Sequence, residues 1–172
     1  NSAAPAPTTK DLYGQPRGLW VLAGTEFWDR ISFHGMQAML VLYMTSDLLV
    51  GSRADAVAGF ATYRSFLQGI GVDMTPTAIA TQTFALYFAG VTFLPLVGGW
   101  LGDRMITRRS AVAAGALSMT AGHFCMAFDA TFLLALLLLA SGAGLLRGNL
   151  MPQIRALYAD GDRRLADAFQ AY

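Results

Sequence analysis

Three ionisable residues, Glu26, Asp29 and Arg30, stand in a run of the sequence that is otherwise apolar enough to cross a membrane. On a helix turning about 100° per residue, they share a sector roughly 100° wide with Phe33 and Gln37. Glu26 and Arg30 also have the i, i+4 spacing at which a carboxylate meets a guanidinium. Ionisable groups inside a membrane usually line an ion or substrate pathway. The spacing therefore predicts a charged face that can bind and release a proton.

A buried ion network that only fixes one helix against another is the alternative interpretation of this face. Two carboxylates against one arginine favour the first interpretation, because one carboxylate remains able to carry a proton.

A second constellation, GGWLGDRMITRR, spans residues 98–109 between two long apolar segments. Its paired glycines, Gly98 and Gly99, allow two helices to approach closely. Asp103 can accept hydrogen bonds from neighbouring backbone, and Arg104 belongs to a group of arginines expected at the cytoplasmic surface. The stretch predicts a gating connection, with an ordinary arginine-rich loop as the alternative.

A third constellation, GLLRGNLMPQI, spans residues 144–154 of the last long apolar segment. Pro152 removes a backbone donor, while Gly144 and Gly148 thin the helix wall, so we expect a kink that faces a cavity. Arg147 would then lie within the span. In the alternative, the helix ends near Arg147, whose side chain snorkels to the surface.

The composition indicates an all-α integral membrane protein. Of the 172 residues, 55% are hydrophobic and 13% are charged, against roughly 25% charged residues in a soluble domain. A net charge of +1 provides no basic field for nucleic acid, and the single cysteine, Cys125, builds neither a disulfide framework nor a cysteine metal site. The sequence contains no pairing of nucleophile and base, no metal-ligand cluster and no phosphate loop, so we expect no enzyme.

The apolar segments predict helices at about 18–48, 78–101, 108–128, 131–157 and from 163 to 172 onward. Lys and Arg concentrate before the first span, between the second and third, and after the fourth, which predicts a multi-pass protein with a cytoplasmic N-terminus. Residues 1–17 are expected to form a flexible cytoplasmic tail rather than a signal peptide. Because four spans and the start of a fifth make an incomplete bundle, we expect a segment of a longer chain.

The three constellations together resemble the proton-dependent oligopeptide transporter family of the major facilitator superfamily. The stretch EFWDRISFHG, residues 26–35, resembles its first-helix motif of Glu-x-x-Glu-Arg followed by aromatics and glycine. GGWLGDR, residues 98–104, is similar to the connection between the second and third helices, and GNLMP, residues 148–152, to the fourth-helix motif. The resemblance implies a helix bundle of which residues 18–172 form part of the N-terminal six-helix half.

The resemblance also implies roles for single residues. Proton coupling falls to Glu26, Asp29 and Arg30, with the proton as coupling ion and no cofactor. The gating connection is represented by Gly98, Gly99, Asp103 and Arg104. The expected substrate cavity, in which the resemblance places Tyr87, is lined by aromatic, polar and cationic residues of the first, second and fourth spans: Phe33, His34, Gln37, Tyr87, Arg147, Asn149 and Met151. In the alternative for His34, the imidazole only packs beside aromatic residues and hydrogen-bonds to backbone.

Three positions depart from the family pattern: Asp29 replaces a glutamate, Gln37 stands where an arginine is common, and Met151 stands where a lysine is common. Arg147 lies one turn before Met151, so its spacing predicts that it supplies the missing cation. The expected function is proton-coupled uptake of di- or tripeptides or peptide-like solutes across the cell membrane. The alternatives are transport of another solute or without protons, and a non-transporting scaffold or receptor. The expected partners are the small substrate, the lipid bilayer and the remaining C-terminal part of the transporter, with no nucleic acid.

Overall fold

The computed structural model describes residues 11–159 and 162–171, and these are almost entirely helical. Six α-helices follow one another in the described chain: α1 Arg17–Tyr43, α2 Phe60–Gly69, α3 Pro76–Arg104, α4 Arg108–Cys125, α5 Phe132–Arg155 and α6 Arg164–Ala171. A π-helical turn, Met44–Leu48, continues α1, and two short 3₁₀ turns, Arg53–Ala56 and Asp129–Thr131, lie in the connections. The 27 residues of α1 and 29 of α3 exceed the roughly 20 needed to cross a bilayer.

Local sequence signals fix where these helices begin. Thr75 precedes Pro76 at the first turn of α3, and its hydroxyl accepts a hydrogen bond from the Ala78 amide. Thr107 caps α4 in the same way through the Ser110 amide. Asp162, two residues before the start of α6, accepts a hydrogen bond of 2.9 Å from the Arg164 amide. Each of these acceptors satisfies a backbone donor that the first helical turn leaves without a partner.

Among the residues that the structure describes, two helical regions are long and apolar enough to cross a membrane, Pro76–Arg104 and Asp129–Arg155. Helix α1 carries the three charges of the first constellation, and α4 has only 18 residues. Large apolar side chains are exposed on α1, α3, α4 and α5, for example Val21, Phe93, Leu117 and Leu137. Such wide apolar faces fit contact with lipid or with further helices.

Helix α5 packs backbone to backbone against α3 and α4. A Cβ atom added at Gly98 would lie 2.9 Å from the Leu145 Cα, and one at Gly115 would lie 2.8 Å from the Gly142 oxygen. No side chain fits at either place without a shift. The three helices therefore form one tightly packed unit, the α3–α4–α5 block, whereas α1 reaches α5 mainly through side chains.

Two apolar clusters lie at opposite ends of α1. One surrounds Leu40, Met44, Leu67 and Phe132 near the end of α1. The smaller one joins Leu19 to α5, α6 and the segment between them through Ile154, Tyr158 and Ala168. The charged stretch of α1 lies between these clusters.

Part of the segment predicted as a flexible tail has a defined structure. Residues Asp11–Leu12 and Gln15–Pro16 pair as an antiparallel hairpin whose turn, Tyr13 and Gly14, has positive φ angles of 52° and 75°, as two-residue hairpin turns require. The Gln15 side-chain oxygen accepts a hydrogen bond of 2.7 Å from the Tyr158 hydroxyl. The expectation of a flexible tail missed this because the contact with Tyr158 joins residues far apart in sequence. Residues 1–10 of the expected tail lie outside the described part of the chain.

Candidate functional site

Helix α1 buries both carboxylates of the charged face and leaves the cation exposed. Glu26 is 6% exposed and Asp29 is 4% exposed. The Arg30 side chain is 63% exposed, and its Nη2 lies 2.8 Å from Glu26 Oε1. This is the i, i+4 contact that the spacing predicts.

Asp29 pairs with a cation from another helix. Its Oδ2 accepts a hydrogen bond of 2.6 Å from Nε of Arg147 on α5. The Arg147 guanidinium carbon also lies 4.9 Å from the centroid of the Phe33 ring, within range of a cation–π contact. Phe33 in turn stacks on Tyr87 of α3 with ring centroids 6.5 Å apart. The charged face thus becomes a cluster that joins three helices.

The second oxygen of Asp29 is the least satisfied atom of this cluster. Asp29 Oδ1 is buried and has no hydrogen-bond partner among the described residues. Leaving a buried acceptor unpaired costs about 1–3 kcal/mol, and more when it is charged. A proton bound at this oxygen would remove its share of the negative charge, and a polar ligand could supply the missing hydrogen bond.

The structure separates the predicted cavity residues into two groups. Phe33, Tyr87 and Arg147 lie together with Asp29, as described above. His34, Gln37 and Met151 are exposed, with Met151 on the turn of α5 that follows Arg147. Asn149 is 1% exposed and donates hydrogen bonds of 2.8 Å to the carbonyls of Gly98 and Leu145. Its position is between α3 and α5, so substrate contact at Asn149 stays a prediction.

The fourth-span alternative, a helix ending near Arg147, is wrong. Helix α5 continues eight residues further, to Arg155, and places Pro152 in its last turns. The Arg147 side chain is 25% exposed and points to Asp29 rather than leaving the bundle. A proline this close to a helix end removes one hydrogen bond without interrupting the residues before it.

All four predicted gating residues lie inside α3 rather than in a connection. Gly98 and Gly99 belong to α3, where they face Gly144 and Gly148 of α5. Helix α3 runs through Arg104, so the connection to α4 shortens to residues 105–107. Asp103 accepts a hydrogen bond of 2.9 Å from the Arg108 guanidinium rather than the expected backbone bond. The Asp103–Arg108 hydrogen bond joins the end of α3 to the start of α4, five residues further along the chain.

One polar contact at the site was missed by the sequence analysis. Ser32 Oγ of α1 and His123 Nε2 of α4 lie 2.6 Å apart. Both residues belong to spans that are otherwise mostly apolar. The rule that polar groups inside membrane spans tend to serve a function could have selected them, but no motif connects two single residues 91 positions apart.

No family model matches the chain, but the similar proteins named here are all transporters. The chain is 32% identical over 168 residues to a di-/tripeptide transporter of Lactococcus lactis, covering 96% of this chain and 30% of that protein. A mutant of the peptide transporter POT, crystallised with sulfate, is 30% identical with a TM-score of 0.73 over 96% of this chain. A POT family transporter in complex with 5-aminolevulinic acid is 29% identical with a TM-score of 0.70 over 94% of this chain.

These relatives are transporters, in agreement with the expectation that the chain is no enzyme. The chain spans about 30% of the length of each relative named here. The order of the motifs and the packing of the described helices agree with the similarity to several peptide transporters. Over nearly its whole length the chain is therefore similar to the N-terminal part of peptide transporters, among them members of the POT family.

Proposed function

We propose that this chain is part of a secondary active transporter in which inward proton flow drives uptake of di- or tripeptides, or related small solutes, by alternating access. The di-/tripeptide transporter among its relatives supports the peptide substrate. The POT structure with 5-aminolevulinic acid supports peptide-like small molecules as a wider substrate class. The observation that carries the coupling is the partly buried Asp29–Arg147 pair, in which the second Asp29 oxygen has no partner among the described residues.

Protonation of Asp29 is the switching event in this proposal. A proton bound at Oδ1 neutralises the carboxylate and weakens its hold on Arg147. Breaking a buried ion pair by removing one charge typically costs about 3–5 kcal/mol. A cost of that size is sufficient to reverse the preference between two conformations that differ by a few kcal/mol.

Release of Arg147 also supplies the substrate with a cation. A guanidinium can bind a carboxylate through two parallel hydrogen bonds, which suits the C-terminus of a peptide. Gln37 and Met151 provide no charge for this purpose. In this scheme Asp29 and the substrate carboxylate compete for Arg147, so proton binding and substrate binding favour the same state.

The packing allows the switch to move one helix relative to the others. The α3–α4–α5 block has no space for sliding where glycine backbones touch, whereas α1 contacts it through side chains. Loss of the Asp29–Arg147 bond therefore releases α1 more readily than it loosens the block.

The test uses the full-length protein in proteoliposomes with labelled dipeptide and an imposed inward proton gradient. We expect gradient-driven accumulation that Asp29→Asn abolishes, because an amide cannot carry the proton. Asp55→Asn makes the same chemical change in an outer connection and should retain accumulation. Arg147→Ala should weaken substrate binding, measured as the concentration that half-saturates uptake.

Driven uptake in Asp29→Asn equal to wild type would contradict the coupling role. If folded wild-type protein accumulates neither dipeptide nor 5-aminolevulinic acid, the substrate assignment is wrong. Transport of another solute, or a scaffold role without transport, would then explain the fold.

A further inference from the structure

We infer that His123, hydrogen-bonded to Ser32, relays protons from the outer end of α1 to Asp29. This inference rests on the proposed function, because it assumes that Asp29 is the proton-coupling carboxylate. It adds a residue of α4 and a route to that site.

The first observation is that α1 has a second polar face beside the charged one. Thr25, Asp29 and Ser32 fall within a sector about 60° wide at 100° per residue, and Asp29 lies on the border between the two faces. One oxygen of Asp29 binds Arg147 from the direction of α5. The residue also lines a cavity on the α4 side, together with Ser32 and His123.

Two cavities meet at the Ser32–His123 contact. The inner one has a volume of about 440 Å³ and contains Asp29, Thr25 and Thr120 in its wall. The outer one, of about 340 Å³, extends along α1 to Tyr43, the last residue of that helix. Ser32 and His123 are the two residues that line both cavities. Each is an open groove with many times the roughly 30 Å³ that a water occupies in the liquid, and the Ser32 hydroxyl and the His123 imidazole in both walls offer water polar partners.

The order of these groups along α1 fits delivery from outside. With the N-terminus cytoplasmic, as the charge distribution predicts, α1 runs outward and Ser32 lies about 4.5 Å beyond Asp29 at 1.5 Å per residue. His123 lies in the last turn of α4, which also runs outward. A proton entering near Tyr43 therefore meets His123 before it reaches Asp29.

Histidine has the chemistry for this step, because its two ring nitrogens allow a proton to enter at one and leave at the other. A proton binds Nδ1, and the imidazolium then releases its Nε2 proton to Ser32 Oγ. The original hydroxyl proton of Ser32 passes through water to Asp29 Oδ1. One proton has moved inward, no charge has been created or lost, and tautomer exchange resets the imidazole.

The charged and titratable groups around this route come from four helices and from the two 3₁₀ turns, where Tyr43 donates a hydrogen bond to Asp129 and Asp129 pairs with Arg53. Asp29 and Tyr43 of α1 line the cavities beside His123. Arg147 of α5 lies beyond Asp29, Tyr87 of α3 stacks on Phe33 of the same cluster, and Glu26 and Arg30 pair with each other on the neighbouring face of α1. Net transfer ends at Asp29 because it offers the unpartnered buried oxygen.

The test compares gradient-driven uptake with counterflow exchange, which needs no net proton movement, in proteoliposomes of the full-length protein. His123→Gln can still hydrogen-bond to Ser32 but cannot be protonated. We expect driven uptake to fall at least about tenfold relative to exchange, since loss of a positioned proton carrier costs about 10²-fold in acid–base steps and water makes up part of it. Met126→Leu, in the outer cavity wall, is the matched control and should keep the wild-type ratio.

A second variant separates proton transfer from helix packing. Uptake by His123→Ala should recover when imidazole is added at constant pH and gradient, whereas a bulky buffer with the same proton affinity should not restore it. Recovery with both buffers, or with neither, would overturn the relay. If Asp29→Asn abolishes driven uptake while His123→Gln keeps the wild-type ratio, the relay is wrong and the proposed function stands. If Asp29→Asn keeps driven uptake, the proposed function itself fails, and the relay with it.

Discussion

The glycine contact between α3 and α5 supports a quantitative prediction from two matched substitutions. Gly98 and Gly90 both lie on α3 and both face α5. A Cβ at Gly90 would lie 3.4 Å from the Ala140 Cβ, an ordinary contact. A Cβ at Gly98 would lie 2.7 Å from the Gly144 carbonyl carbon and still closer to its oxygen.

The expected magnitude follows from that geometry. Carbon atoms prefer separations of about 3.5–4.0 Å, so Gly98→Ala must move the α5 backbone away by about 0.8 Å. Overpacking of this kind costs about 1–3 kcal/mol. Both substitutions gain the same helix propensity, about 1 kcal/mol for Gly→Ala, and that gain cancels in their difference. Gly98→Ala should therefore be about 1–3 kcal/mol less stable than Gly90→Ala.

The assay is equilibrium unfolding of the purified full-length protein in detergent, with helix content as the signal. Equal unfolding free energies for the two variants would refute the close approach of the two backbones. Transport measurements on the same samples add a second result. If Gly98 has a gating role beyond packing, Gly98→Ala should slow uptake by more than its loss of folded protein explains.

Two further predictions concern the hairpin at residues 11–16 and the start of α6. Hydrogen bonds from the Arg164 side chain and then its amide hold the pKa of Asp162 below its usual range. The ionised Asp162 carboxylate therefore stabilises the folded state at pH values above about 3.9, the pKa of an aspartate in an unfolded chain. This stabilisation is lost as the pH falls through the lower pKa that Asp162 has in the folded state. Asp162→Asn should remove this part of the pH dependence of thermal unfolding, and an unchanged profile would contradict it. Tyr158→Phe removes the hydrogen bond to Gln15, worth about 0.5–1.5 kcal/mol. Hydrogen exchange at residues 11–16 should accelerate about 2- to 13-fold, with Tyr13→Phe as the unaffected control.

Local features of this protein could be predicted from sequence because they depend on short-range periodicity. The long apolar runs predicted the main helices, and i, i+4 spacing predicted the Glu26–Arg30 contact. In each case the interacting groups are within a few residues of one another, so the helix geometry alone brings them together.

The partners of Asp29 and Ser32 could not be predicted in this way. Asp29 meets Arg147 across 118 residues, and Ser32 meets His123 across 91. Those contacts depend on how α1 lies against α4 and α5, which helical periodicity does not specify. Sequence spacing suggested that Arg147 replaces a missing substrate cation, but it gave no sign that Arg147 would form an ion pair with Asp29. Likewise, Gly98 indicated close packing without identifying Gly144 as its neighbour.

The hairpin at residues 11–16 can dock only after later parts of the chain have been synthesised. Its Gln15 contact lies 143 residues downstream, at Tyr158. At a synthesis rate of about 5–20 residues per second, that partner is made on the order of 10 s after the hairpin leaves the ribosome tunnel. The hairpin must therefore wait until α1, α3, α4 and α5 have been synthesised. Its docking on Tyr158 can occur only after the last of these four helices has been made.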